Sequence, residues 1–247
     1  MARSRTLLQL RTEVRQRADM VNSAFVTDSE VDRCINQSWA RLYEALLAAG
    51  EDYYLKYVDV NTPVGAFYDL ENYTSSGGTA ATDVYQVRGV DANYSGNITV
   101  NVPRFSWEER NLYLAAPALT PYYPIVAYRF MQNPTTGKDA IEVIPATSTG
   151  VTNLRIWYYP NPKVLAADTD TIDGRSGWEE WVVVDAAIKL LTKEESDTTQ
   201  LERENARIWQ QIVLAAQNRD SGQSKRITDT SYNTGMWPYT SVRYRRW

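Results

Sequence analysis

Histidine is absent from the 247 residues, and cysteine occurs once, at Cys34. Without imidazole the chain lacks the commonest general base near neutral pH and the commonest metal ligand. A single thiol gives no disulfide framework and suits a reducing compartment, and no triad that depends on histidine can be assembled. No stretch approaches the roughly 18 consecutive apolar residues of a membrane-spanning helix. The first residues lack the apolar core of a secretory signal, so the sequons at Asn72, Asn93 and Asn97 carry no expectation of glycosylation. The early arginines (Arg3, Arg5, Arg11, Arg15, Arg17) hint at a transit peptide, but Glu13 and Asp19 interrupt them and a helical pattern runs straight on.

Loops that cradle phosphate are also missing: Ser75-Ser76-Gly77-Gly78 lacks the lysine and the following helix, which makes it a hairpin tip. Adjacent acids at Glu108-Glu109, Glu179-Glu180 and Glu194-Glu195 diverge around a helix and predict solvated faces rather than a catalytic pair. The run from Asp168 to Gly174 alternates aspartates, yet Ile172 stands where a calcium loop needs a ligand and Asp173 where it needs glycine. A turn-rich linker is expected there, with cation binding by Asp168 to Asp173 as the alternative. Cys34 falls in an apolar helical stripe and is expected to serve as a small hydrophobe. Neither an enzyme nor a cofactor is expected.

What is present is strongly periodic. Leu7, Leu10, Val14, Ala18 and Val21 recur at three- and four-residue steps and predict a helix over 4–21. Thr27-Asp28-Ser29-Glu30 is a capping box opening a second helix that runs to Ala49, with Val31, Cys34, Ile35, Trp39, Leu42 and Leu46 as its stripe and Gly50 as its stop. From Asp52 to Pro160 the pattern changes to short β-rich runs: Tyr53 to Val60, Ala66 to Leu70, Val84 to Asp91, Ile98 to Val102, Ile125 to Met131, Ala140 to Ile144 and Leu154 to Tyr159. Turn material around Asn133-Pro134 and Ser148-Thr149-Gly150 separates some of them, and one short helix capped by Ser106 is expected through Arg110. A second helical pair follows. Trp178, Trp181, Val182, Val184, Ile188 and Leu191 make a stripe broad enough to be buried on several sides, and Asp197 caps a last helix carrying Leu201, Ile208, Trp209, Ile212 and Val213.

Neither terminal helical pair can bury its stripe alone. The expected fold is therefore α+β: a four-helix bundle of the N-terminal (1–50) and C-terminal (177–220) pairs, an inserted β-rich sandwich- or barrel-like domain (51–160), a linker (161–176), and an extended arm (221–247). In the bundle, Trp178, Trp181 and Trp209 are the candidates for packing between subunits.

The arm has no apolar period, and fixing each backbone residue costs roughly 1–2 kcal/mol, so it cannot fold on its own account. It is nonetheless rich in anchors: Lys225, Arg226, Tyr232, Met236, Trp237, Tyr239, Arg243, Tyr244, Arg245, Arg246 and Trp247. Trp, Tyr and Arg dominate interface hot spots because each joins a large buried area to a polar end. The whole chain carries a formal charge of −4, but the arm has five basic side chains against Asp229, a net +4, which leaves −8 on the body. An acidic body with a basic arm argues against a general nucleic-acid binder and for a self-assembling subunit whose arm grips a partner.

Several phrases resemble the head-to-tail adaptor proteins of tailed bacteriophages: Trp157-Tyr158-Tyr159-Pro160-Asn161-Pro162, then Leu165 to Ile172, Trp178-Glu179-Glu180-Trp181, Ala186-Ala187-Ile188-Lys189 and Lys193 to Asp197, together with Asp83 to Asp91. The order of helical pair, β insertion, helical pair and arm resembles that family too. The resemblance implies a non-catalytic virion protein, made in the bacterial host cytoplasm, that forms a ring of typically twelve copies beneath the portal. The arm would dock on the portal protein, the β domain would meet the tail or nozzle protein, and DNA would pass through the lumen as cargo, with the basic N-terminal helix a possible wall for it. No membrane is involved. The competing expectation, from the residues alone, is a carbohydrate- or receptor-binding virion module stacking sugars on Tyr53, Tyr54, Tyr57, Tyr122, Tyr123, Tyr158 and Tyr159.

Overall fold

The computed structural model of the chain describes residues 5–22, 24–49, 53–94, 98–119, 126–147, 151–172 and 177–217. The fold is α+β. Its helices are α1 (Leu7–Arg17), α2 (Asp28–Ala49), α3 (Arg110–Leu119), α4 (Glu179–Lys193) and α5 (Thr199–Gln217); its strands are β1 (Lys56–Asn61), β2 (Gly65–Asp69), β3 (Val84–Tyr94), β4 (Ile98–Val102), β5 (Ala127–Gln132), β6 (Asp139–Thr147) and β7 (Val151–Pro160).

Local chemistry sets the helix ends. Thr6 and Gln9 form a reciprocal capping box at the start of α1. The helix stops earlier than its periodicity suggests, because Asp19 turns left-handed (φ 56°) and the amides of Asp19 and Met20 fold back on the carbonyls of Gln16 and Arg15. Val21, expected on the buried stripe, is consequently 55% exposed. The box at Thr27 and Glu30 forms as its spacing requires, with Glu30 accepting from the Thr27 amide at 3.0 Å. Gly50, the expected stop of α2, lies outside the described residues. Asp197 accepts from the Thr199 amide at 3.0 Å and so caps the first turn of α5.

Helices from both ends of the sequence bury one apolar cluster: Leu7, Leu10 and Val14 of α1, Val31, Ile35, Leu42 and Leu46 of α2, Val182, Val183, Ala186 and Leu190 of α4, and Ile212 and Ala216 of α5. Residues 181–187 of α4 are all buried, as a stripe too broad for one neighbour requires. Their directions follow from four contacts. Lys193, at the end of α4, meets Glu30 at the start of α2 (2.8 Å), and Asp185 meets Ser38 midway (2.8 Å), so α4 is antiparallel to α2. Asn205 reaches Asp185 (3.3 Å) and Trp209 packs on Trp181, so α5 runs back along α4. Gln217 therefore lies at the N-terminal end of α4.

The β region forms two antiparallel sheets, ordered β1-β7-β3-β4 and β2-β6-β5, rather than one closed barrel. Val58, Val90, Leu154 and Ile156 of the first share a core with Tyr68, Tyr128, Ile141 and Val143 of the second. The end of the larger sheet where Val84 pairs with Pro160 adjoins the helices, since Tyr43 of α2 donates its hydroxyl to the Pro160 carbonyl. At about 3.3 Å per residue, the length of β3 carries its Tyr94 end, and β4 paired along it, to the pole away from the helices.

Two further expected boundaries move. The first strand begins at Lys56 because Tyr53 and Tyr54 are drawn into the helical core. The short helix is Arg110–Leu119 instead of starting at Ser106, whose amide is held by the Glu109 carboxylate (2.9 Å) in a turn one step earlier. Ile125 and the tip at 148–150 lie outside the described residues.

Candidate interaction surfaces

The arm residues singled out by composition, Lys225, Arg226, Tyr232, Met236, Trp237, Tyr239, Arg243, Tyr244, Arg245, Arg246 and Trp247, lie outside the described residues. Their root does not: the arm leaves from Gln217, at the end of α4 that faces the β layer.

The three helical tryptophans separate. Trp181 is 2% exposed and sits inside the subunit's own core, with the Trp209 ring 4.7 Å away, so burial within its own chain comes before any contact between subunits. Trp178 and Trp209 are half-buried against that core. Beside them Asp185, also buried, is satisfied from three elements: by Ser38 Oγ (2.8 Å), Lys189 Nζ (2.9 Å) and Asn205 Nδ2 (3.3 Å). With the Arg41 guanidinium 3.4 Å away as a second cation, this buried carboxylate fixes how α2, α4 and α5 sit together. Cys34 is half-buried against the same core, where burial pushes its thiol pKa up.

The basic face of α1 is spoken for. Arg11 forms a two-pronged pair with Asp32 (2.9 and 2.8 Å) and also reaches Asp168 (3.1 Å), and the Asp32 bond raises its pKa. Arg17 joins Glu180 (2.7 Å) and Glu204 (2.8 Å), Arg5 joins Glu13 and Glu180, and Arg15 joins Asp28 (2.8 Å). These guanidiniums clamp α1 onto α2, α4, α5 and the 160–172 segment, and their charge is matched by carboxylates rather than offered to DNA phosphates.

The alternating aspartates have protein partners as well. Asp170 accepts from the amides of Ala166 (2.9 Å) and Ala167 (2.8 Å) and pairs with Lys163 (2.9 Å), which lowers its pKa to about 2. Asp173 is outside the described residues. Among the described residues, no group of three acidic or cysteine side chains is placed to hold a metal. Because the carboxyl titrates below its ordinary 3.8, its support for the linker is complete above that pH and disappears as the pH falls toward 2. Asp170→Asn should lower the denaturation midpoint at pH 6, and the gap from the wild-type chain should close below pH 2; a gap constant from pH 6 to pH 2 would contradict this.

The tyrosines do not form one platform. Tyr53 and Tyr54 join the helical core, Tyr158 is fully buried between the sheets with its phenol pushed up to about 12 by burial, and Tyr159 points the other way and is also buried. Tyr122 and Tyr123 lie outside the described residues. Only Tyr57 remains on the outer face of the larger sheet. There it packs edge-on against Trp157 (5.2 Å) and lies under the Arg155 guanidinium (4.2 Å). The rest of that face is a polar lattice: Arg155 grips Asp59 with two bonds of 2.8 Å, and Asn153 links Asn61 (2.7 Å) to Asn93 (3.4 Å), which accepts from Thr99 (2.7 Å). Cross-strand register places every one of these partners, so the face is rigid.

Sheet edges differ in their cover. Part of β1 is capped where the Ser76 amide donates to Tyr57, and β5 is bridged by the 103–105 segment, with Phe105 donating to Tyr128 and Tyr128 to Pro103. Among the described residues nothing bonds to the outer edge of β4. That strand carries no charge and shows Ile98 (58% exposed) and Val100 (48%) on one side. An uncharged, apolar, open edge is a template for another strand.

A cleft of about 810 Å³ opens between the layers. Trp39 and Tyr43 of α2 form its floor, Tyr53 and Tyr54 one wall, and the Pro160–Lys163 turn another. The rings are in mutual contact, Tyr43 stacking on Tyr54 at 4.5 Å and Tyr53 on Trp178 at 5.7 Å. Sequence reasoning missed this site; the only local signal was the run of aromatics at 53–54, which resembled a strand.

The family described as SU10 adaptor protein matches residues 5–234, a span that takes in every helix and strand and stops short of Met236. No curated protein matches the chain.

Proposed function

The chain belongs to the SU10 adaptor protein family, a family of phage head-to-tail adaptors, and from that premise we propose that it forms a ring of twelve copies, matching the portal's symmetry, beneath the portal of the virion and gives the tail its platform. The family match over residues 5–234 carries the reading. In this proposal the role is structural, the two terminal helical pairs (1–50 and 177–220) act as one four-helix unit whose neighbours close the ring, the β insertion (51–160) faces the tail or nozzle protein, and DNA passes through the lumen. The linker 161–176 joins the layers and the arm 221–247 grips the portal. Half-buried Trp178 and Trp209 are the tryptophans left for contacts between copies.

Two observations support this polarity. The arm's anchors are Arg, Tyr and Trp, repeated round the ring, so that weak grips add to a firm one by avidity. At the pole away from the helices the open edge of β4 offers backbone hydrogen bonds and an apolar row to an incoming strand. Mixing the purified chain with portal particles should give a ring visible in averaged micrographs at the portal's base, with the portal's own symmetry; particles whose portal stays bare would overturn the proposal. Val100→Lys, which puts a charge on the exposed edge without touching the core, should leave that ring intact and block tail attachment. Normal tail attachment by the variant would remove β4 from the tail surface.

A further inference from the structure

We propose that the cleft between the helical and β layers holds a segment of this chain's own arm, Met236-Trp237-Pro238-Tyr239, with the Trp237 ring against the partly exposed Tyr53, Tyr54 and Pro162. The arm then has two working parts: a neutral hook near the subunit body and the basic end, Arg243 to Trp247, left free beyond it. The inference concerns the same arm as the portal reading but does not depend on what the basic end grips.

The cleft has the size and chemistry of a binding site. Its volume, about 810 Å³, falls in the range of sites that enclose a compact ligand. Its partly exposed lining includes Tyr53, Tyr54 and Pro162, while Trp39 (1% exposed), Tyr43 (2%) and Pro160 are buried; an aromatic and proline wall of this kind receives proline-containing extended segments. The charges at its rim are already matched: Lys56 pairs with Asp83 (3.2 Å) and Lys163 with Asp170 (2.9 Å). An uncharged occupant therefore suits it better than a basic or acidic one.

The arm supplies such a segment at a suitable place. Residues 230–242 carry no charge, and within them Met236-Trp237-Pro238-Tyr239 concentrates the apolar side chains. Proline at 238 biases Trp237 toward an extended backbone, so less order has to be imposed on binding. The root is near. Gln217 ends α5 beside the N-terminal end of α4, where Trp178 contacts Tyr53 and Tyr53 contacts Tyr54, two ring contacts of 5.7 Å each that lead to the cleft wall. The twenty residues from Gln217 to Trp237 span up to roughly 70 Å when extended, ample slack for this short path.

The test uses the full chain without portal. Cys34→Ser with Gly235→Cys provides one thiol for a nitroxide label beside the segment, and amide spectra of the ¹⁵N-labelled protein report what lies near it. Tyr54, Leu55, Asn161 and Lys163 should lose most of their amide intensity, residues of β4 at the far pole should keep theirs, and adding Trp237→Ala should restore the lost signals. Three outcomes would each overturn the proposal: unchanged intensity at the cleft, loss that persists with Trp237→Ala, or loss arising from nitroxide-labelled ¹⁴N chains mixed with unlabelled ¹⁵N chains, which assigns the cleft to a neighbouring copy's arm. A portal that fails to bind the chain leaves this experiment untouched, so the two readings fail separately.

Discussion

Trp181→Ala is expected to lower the stability of the dilute subunit by about 3–5 kcal/mol, the usual cost of truncating a buried aromatic side chain to alanine. The side chain is 2% exposed among residues of α2, α4 and α5, and its ring packs 4.7 Å from Trp209 with the Arg41 guanidinium 6.0 Å above it. Among the described residues its indole N–H has no hydrogen-bond partner, so truncation leaves no acceptor stranded and the loss is one of packing and buried area. Trp209→Ala should cost less, because that ring is only partly buried. Denaturant unfolding of the free subunit measures both. A loss below about 1 kcal/mol for Trp181→Ala would place it among ordinary surface changes and take it out of the core.

Deleting Val242 to Trp247 is expected to leave a folded subunit that no longer joins portal-bearing heads. The deleted stretch holds Arg243, Arg245, Arg246, Tyr244 and Trp247, and it lies outside the described residues. Burying the two aromatic rings contributes about 1.5–3 kcal/mol each and each charge-assisted arginine bond about 1.5–3 kcal/mol before ordering costs. Every copy in the ring loses the same grip, so avidity multiplies the defect. Helical circular dichroism should be unchanged while filled heads leak DNA or lack tails. Infectious particles formed at the normal rate would show that the arm is not the portal grip and would shift the weight to the helical surface. The deletion keeps Trp237, so it leaves the cleft and its occupant intact.

Much of the helical layer is legible in the sequence because its signals are local. The three- and four-residue spacing of Leu7, Leu10 and Val14, the box at Thr27 and Glu30, and the broad stripe from Trp181 to Leu190 each act within a turn or two of backbone. The strands are legible as runs of alternation, and their bounds fall within a few residues of expectation. The segment 221–247 stands out by composition, with five basic side chains against one acid, and lies outside the described residues.

The candidate surfaces are less legible, and Tyr53 and Tyr54 show why. Their neighbours look like strand, yet the rings answer to Tyr43 and Trp178, residues far away in sequence, and leave the sheet. The same holds for the arginines of α1, which as a local pattern form a basic face but in the fold meet Asp32, Glu180 and Glu204.

By itself, then, the sequence determined the element order, the caps, the absence of imidazole and disulfide chemistry, and the separation of a basic arm from an acidic body. Those properties follow from residue type and from spacing within a few residues. Only the tertiary structure decided which tyrosines share a face, which arginines are neutralised, which sheet edge stays open and where a cleft lies. Strand register alternates side chains between faces, so a shift of one residue exchanges core for surface. A cleft walled by α2, the 53–56 segment and the Pro160–Lys163 turn exists only once contacts across more than a hundred residues have formed.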